Sequence, residues 1–240
     1  MPLPRDVAAA RAAFPRGLAQ PAGYRFTKDS LLLAGFPAPG TTRRVLDLGA
    51  GCGVVGFAFL LGHPDCAATL TALDISPAMV AASRDNAQRL GVADRFSAIA
   101  ADAANLPDVP GLQPGSFDLC LLNPPYRVPG ACRTSPDPAR AAARQETTAT
   151  LADFLAAASR LLAPRGRLAL CLPPARLPEL LASLTANGLE PKRLQHVHPK
   201  PDAPCRLCLV EARKGGKSGL VVGAPLTENA SIEKYSRIDK

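Results

Sequence analysis

The sequence predicts an α/β fold in which helices cover both faces of a mostly parallel sheet. Three observations predict it. From Arg44 onward, short apolar runs of strand length alternate with segments of helical period. A glycine-rich turn, Gly49-Ala-Gly51-Cys-Gly53, follows the first of those runs. Asp74, Asp102 and Asn123 each follow a later run. Sheets of this kind bind ligands beyond the carboxyl ends of their strands, where the strand order switches. These residues should therefore converge on one edge.

Taken in order, residues 1–23 are rich in Ala and Pro, with a short helix predicted around Val7–Phe14. Arg25-Phe26-Thr27-Lys28-Asp29-Ser30 is a compact signal ahead of a Leu-Leu-Leu-Ala run. Asp29 or Ser30 is expected to cap a short helix through Leu31–Gly35. The Pro/Gly/Thr stretch 37–42 reads as a linker. Val45–Leu48 is the first strand and Val54–Leu61 a buried helix. Thr69–Ile75 is the second strand. Ser76 then caps a helix that has Pro77 at its first position, runs to Leu90 and is stopped by Gly91. Phe96–Ala100 and Phe117–Leu122 are the third and fourth strands. Residues 127–145 show no regular period. Thr147–Leu162 is an amphipathic helix, Arg167–Leu172 a strand and Leu177–Asn187 a helix ended by Gly188. Leu194–His198 and Arg206–Ala212 complete seven strands, and Val221–Val222 is a candidate edge strand. The chain therefore divides into an N-terminal extension (1–43) packing near the site, a catalytic domain (44–213) and a partly ordered tail (214–240).

Composition narrows the function. The chain has 240 residues and 47% hydrophobic residues, enough for one domain with a sizeable core. A net charge of +8 favours a polyanionic partner, because phosphate contacts release condensed counterions. Seven Cys without a disulfide pattern fit a reducing compartment. Cys205 and Cys208 have CxxC spacing but stand alone in a strand-like run, which favours packing over zinc or redox chemistry. His196 and His198 share a strand face without a third ligand, so no metal is expected. With no signal-like start and no long apolar run, the protein is expected to be cytoplasmic and not membrane-bound.

The chemistry lies in the residues after the strands. Glycines let a backbone turn sharply and approach a ligand closely. Asp74 is placed to accept hydrogen bonds from ribose hydroxyls, which suits several nucleoside cofactors. Asp102 could bond an adenine amine, or could be a solvated loop acid. Asn123-Pro124-Pro125-Tyr126 is the strongest signal. Two prolines after an apolar strand remove two donors and stiffen the turn. That leaves the Asn123 side chain and the Pro124 carbonyl as convergent acceptors. An amide or aromatic amine is a poor nucleophile because its lone pair is delocalised. Two acceptors gripping its N–H groups favour a pyramidal nitrogen. Tyr126 offers a ring for a planar substrate to stack on. The loop 127–145 is long for a structureless connection, and its Arg133, Arg140 and Arg144 are candidate phosphate or base contacts.

The series Asp47, Gly51, Asp74, Asp102, Asn123, with the signature Asp47-Leu-Gly-Ala-Gly-Cys-Gly53, resembles the Rossmann-like class I S-adenosylmethionine-dependent methyltransferases. Asn-Pro-Pro-Tyr resembles the group that modifies adenine amines or glutamine amides. Within that group the chain is similar to the bacterial tRNA adenosine-37 N6-methyltransferase family. Tyr24-Arg-Phe-Thr-Lys-Asp-Ser-Leu-Leu-Leu-Ala, Ala143-Arg-Gln-Glu-Thr-Thr148, Glu190 to Pro199 and Gly219 to Leu226 carry that likeness. The resemblance implies S-adenosylmethionine as cofactor, held by Asp47, Gly49, Gly51, Gly53, Asp74, Ile75, Asp102, Ala103 and Asn123. It implies that Asn123, Pro124, Pro125 and Tyr126 bind the target base, and that the substrate is an RNA, with tRNA foremost. Two rivals stand beside this reading. A protein glutamine methyltransferase acting on release factors would share the motif, but that family carries a helical domain ahead of the first strand. A non-catalytic RNA-binding module would not need the intact glycine loop and Asn123.

Overall fold

The computed structural model describes residues 7–21, 25–106, 112–124 and 149–228. Two short helices, α1 (Val7–Ala12) and α2 (Lys28–Ala34), precede β1 (Arg44–Leu48). There follow α3 (Val54–Gly62), β2 (Thr69–Asp74), α4 (Pro77–Arg89), β3 (Phe96–Ala100) and β4 (Phe117–Leu122). The second half holds α5 (Leu151–Leu161), β5 (Leu162–Leu172), α6 (Leu177–Ala186), β6 (Leu189–His198) and β7 (Leu207–Lys214). Two-residue strands β8 (Val221–Val222) and β9 (Leu226–Thr227) end the described chain.

One sheet runs in the order β3-β2-β1-β4-β5-β7-β6-β8, with β9 also on β6. β3, β2, β1, β4 and β5 are mutually parallel, and β7 runs antiparallel between β5 and β6. The order reverses between β1 and β4, so the crevice that such sheets offer a ligand lies above Leu48 and Leu122, which are register partners. The seven expected strands are present. The sheet has nine because β8 and β9 both pair with the free edge of β6, at Arg193–Leu194 and Val197–His198.

Period-two alternation sends neighbouring strand residues to opposite faces. Val45, Leu70, Leu119, Leu121 and Cys171 pack on one face with Leu33, Phe57 and Phe59 of α2 and α3. Leu46, Leu48, Leu122, Leu170 and Cys208 pack on the other with Phe154, Leu155 and Leu184 of α5 and α6. α3 is buried nearly all round, and Gly56 makes this possible. A Cβ there would lie 2.5 Å from Leu70 Cδ2, so the helix could not sit this close to β2 with a larger residue.

Several boundaries differ from the sequence expectation. α5 starts at Leu151, after Thr150, because Thr150 and Asp153 form a reciprocal capping box. β6 begins at Leu189, five residues early. Pro191 hides that half from a strand reading, and a register shift between Pro191 and Arg193 absorbs it. β5 begins at Leu162 because that residue already pairs with Phe117. Neither Asp29 nor Ser30 caps α2. Thr27 holds the N-cap position, and both residues lie inside the helix, buried.

Candidate active site

The glycine turn leaves β1 with three left-handed residues, Gly49 (φ 71°), Gly51 (φ 55°) and Gly53 (φ 88°). At Gly53 a side chain is excluded twice, because a Cβ would also lie 2.5 Å from Phe57 Cε2. The turn is fixed from β2. Gly49 and Ala50 donate their N–H groups to Leu73 O at 2.8 and 3.0 Å. Gly51 N–H donates to Asp74 Oδ2 at 2.7 Å, and Ser76 N–H to Asp74 Oδ1 at 2.9 Å. Asp74 therefore joins the loop to the start of α4. A carboxylate has about four acceptor positions, so these two bonds are compatible with further donors. Ile75 follows Asp74, half-buried. At the end of β3, Asp102 Oδ1 accepts from Ala104 N–H at 2.9 Å, and Ala103 is buried beside it.

Asp47 lies beneath the loop, 1% exposed. Its Oδ2 accepts from Gly56 N–H of α3 at 2.9 Å, while Oδ1 has no hydrogen-bond partner among the described residues. Burial pushes its pKa up from 3.8 to about 7; the Gly56 bond opposes the shift and the nearby Asp74 charge adds to it. Folded Asp47 thus holds its proton more tightly than the unfolded chain does. Between pH 4 and 7 the folded state carries the extra proton, so this residue's contribution to stability falls as pH rises and is constant above about 7. Asp47→Asn is expected to remove that slope. The stability difference between wild type and variant should change by up to ~4 kcal/mol between pH 4 and pH 8 in urea unfolding. A difference that stays constant across that range contradicts the assignment.

Asn123 follows β4 at the switch point. Register pairs Leu122 with Leu48 on one side and Leu170 on the other, so Asn123 lies between the glycine turn and Cys171. Its Nδ2 donates to Ser30 Oγ at 3.2 Å, and its Oδ1 accepts from Cys171 Sγ at 3.2 Å. Ser30 and Cys171 are both buried. Pro124 is buried next to it. The amide is thus gripped at both ends before any substrate arrives. Pro125, Tyr126, Arg133, Arg140 and Arg144 lie outside the described residues.

Sequence reasoning did not assign Ser30, although it singled out the segment that holds it. The structure packs that segment over the sheet and places one residue of it against Asn123. α2 is held in turn by Asp29, which pairs with Arg206 Nη2 at 2.7 Å, and Arg206 also pairs with Glu228. Asn86 of α4 was also missed. Its amide accepts from Ala19 N–H and donates to Ala19 O and Cys52 O, tying the N-terminal segment to the glycine turn. Cys205 is half-buried and Cys208 buried, and His198 Nδ1 bonds Ala203 O at 2.7 Å. Among the described residues no group of three or more metal-ligating side chains occurs.

Comparison with known proteins identifies the family. The methyltransferase-domain family model matches residues 41–204. The tRNA1(Val) (adenine(37)-N6)-methyltransferase of Parabacteroides distasonis is 30% identical over 206 residues, covering 85% of this chain and 81% of the relative. The enzyme of the same name from Porphyromonas gingivalis is 31% identical over 195 residues, covering 79% and 74%. Among solved structures, one described as a predicted O-methyltransferase from Agrobacterium tumefaciens shares the fold, with a TM-score of 0.66 at 24% identity over 83% of this chain and 86% of that one. With its glycine turn, its strand-end acids and Asn123 at the switch point, the chain belongs to the methyltransferase-domain family, in the group that contains the tRNA1(Val) (adenine(37)-N6)-methyltransferases.

Proposed function

We propose that this protein transfers a methyl group from S-adenosylmethionine to the exocyclic N6 amine of an adenosine in tRNA. The observation that carries the reading is Asn123, fixed at the switch point between Ser30 and Cys171 and one strand away from the glycine turn.

The residues present fit the cofactor. Asp47 Oδ1 is a buried acceptor without a described partner, suited to the ammonium of an amino-acid moiety. Gly49, Gly51 and Gly53 keep side chains out of the crevice, Asp74 would accept from a ribose, and Asp102 with Ala103 would hold the adenine. When bound, the cofactor supplies an electrophilic methyl on a sulfonium.

The chain's own work is alignment. Asn123 Oδ1 and the Pro124 carbonyl accept the two N–H groups of the target amine, which favours a localised lone pair. With the cofactor bound, Asn123 and Pro124 would hold the nitrogen in line with the methyl it supplies, and the surplus proton of the amine would leave to solvent. No general base is required, so the rate depends on geometry. Tyr126 would offer its ring to the flipped or already unpaired base. Residues 1–43 act as the cover that brings Ser30 to the site, and 44–213 form the catalytic domain. No described helix is long and apolar enough to cross a membrane. The cytoplasm, where tRNA is modified, is the expected location.

Arg133, Arg140 and Arg144 are assigned to the RNA backbone. Arg133→Ala and Arg140→Ala are each expected to weaken tRNA binding several-fold, with cofactor affinity unchanged. Filter binding and calorimetry read the two constants separately. Unchanged RNA affinity in both variants would remove these residues from the interface.

The function itself is tested with labelled S-adenosylmethionine and unmodified tRNA, followed by nucleoside mass spectrometry. N6-methyladenosine is the expected product, and position 37 of a valine tRNA, the site in the relatives' name, is the first to examine. Methylglutamine in a protein pool with no methylated adenosine would overturn it.

A further inference from the structure

A basic cleft opens at the opposite edge of the sheet from the candidate active site. Its volume is about 410 Å³, and Arg165, Arg167, Arg193 and Arg213 line it with Asp118 and Glu211. Both acids are already engaged. Glu211 lies 3.4 Å from Arg167 and 3.5 Å from Arg193. Asp118 accepts the backbone N–H groups of Arg43 and Arg44 at 2.8 and 2.9 Å. Arg167 also bonds Ala38 O and Thr42, and Arg193 lies over the Phe36 ring at 4.5 Å. Those two arginines brace the fold. Arg165 and Arg213 have no ion pair or hydrogen bond from their guanidinium groups among the described residues.

Arg165 carries a second, independent signal. At φ 65° it is the one non-glycine residue with positive φ among the described residues. It follows Pro164 at the irregular start of β5, where the pairing with β4 shifts register, and left-handed backbone favours glycine or asparagine. An exposed arginine held there is strained, and its guanidinium makes no ion pair or hydrogen bond among the described residues that would offset it. Strain kept without an internal return points outward, to a ligand.

We propose that this cleft is a second nucleic-acid contact, in which Arg165 and Arg213 grip a backbone phosphate of the RNA substrate. Paired guanidinium groups suit a phosphate's geometry and bind it bidentately. β4, with six residues at ~3.3 Å each, sets the two sheet edges ~20 Å apart. A folded RNA is longer than that (a double-stranded-RNA-binding domain alone spans about 16 base pairs), so one RNA can reach both edges. The proposal rests on the RNA reading above, and its test separates the two.

Unmodified tRNA binding is measured across a KCl series for wild type, Arg165→Gly, Arg213→Gln and the double variant. Each single variant should lose about 3- to 10-fold in affinity, and the slope of log K against log salt should shrink by ~1 per lost phosphate contact. Glycine suits φ 65°, so Arg165→Gly should melt no lower than wild type, which separates binding from folding. Wild-type affinity and slope in the double variant overturn the proposal, as does a wild-type protein that binds no tRNA. Normal binding changes with no methylated adenosine would instead overturn only the assigned reaction.

Discussion

Asn123→Ala is expected to reduce kcat by ~10³-fold while the dissociation constant for S-adenosylmethionine stays within about twofold of wild type. On the proposed mechanism the substitution removes one of the two acceptors of the amine, and a single positioned polar group at a reacting centre contributes on that order. The cofactor constant should survive because the glycine turn is held from β2, through Leu73 O and Asp74, not from β4. Ser30→Ala tests how the amide is aimed. It keeps Asn123 but removes the acceptor at 3.2 Å from Nδ2, so kcat should fall by ~10-fold with little change in KM, and Ser30→Thr should recover part of the loss. Single-turnover assays with saturating cofactor read the chemical step directly. Full activity in Asn123→Ala would eliminate the mechanism.

The second large effect concerns α2. Arg206→Met leaves Asp29 buried without its cation, and a stranded buried charge is costly. Because the Arg206 side chain is 38% exposed, the expected loss is about 2 kcal/mol, well below that for a fully enclosed pair. For a domain of this size that corresponds to a melting temperature lower by about 4–8 °C. Asp29→Asn in the same chain removes the stranded charge, so the double variant should regain much of the loss. Because Ser30 follows Asp29 in the helix, Arg206→Met should also lower kcat more than it weakens cofactor binding. Strictly additive losses in the two substitutions would show that the ion pair does not hold α2.

The first half of the sheet was legible because its signals are local. β3 and β4 match their apolar runs residue for residue, and β1 and β2 differ from theirs by one residue. A buried parallel strand must be apolar on both faces, so its ends are written in composition. β6 was only half legible, since Pro191 contradicts a strand unless a register shift absorbs it. The start of β5 was not legible at all, because Leu162 joins the sheet through Phe117, a residue far away in the chain.

The same division holds in the site. By itself the sequence determined the parallel α/β fold and the strand-end placement of the glycine turn, Asp74, Asp102 and Asn123, and its Asn-Pro-Pro-Tyr motif pointed to the amine chemistry proposed above. Each follows from a short window in which backbone geometry and residue type constrain one another. Only the tertiary structure decided that Ser30 and Cys171 grip Asn123, that Asp47 lies beneath the loop with one oxygen unmatched, and that Arg206 anchors α2. Ser30 and Asn123 are 93 residues apart, and Asp29 and Arg206 are 177. Such pairs depend on which strands become neighbours and on how a helix packs across them, and no local pattern encodes that choice.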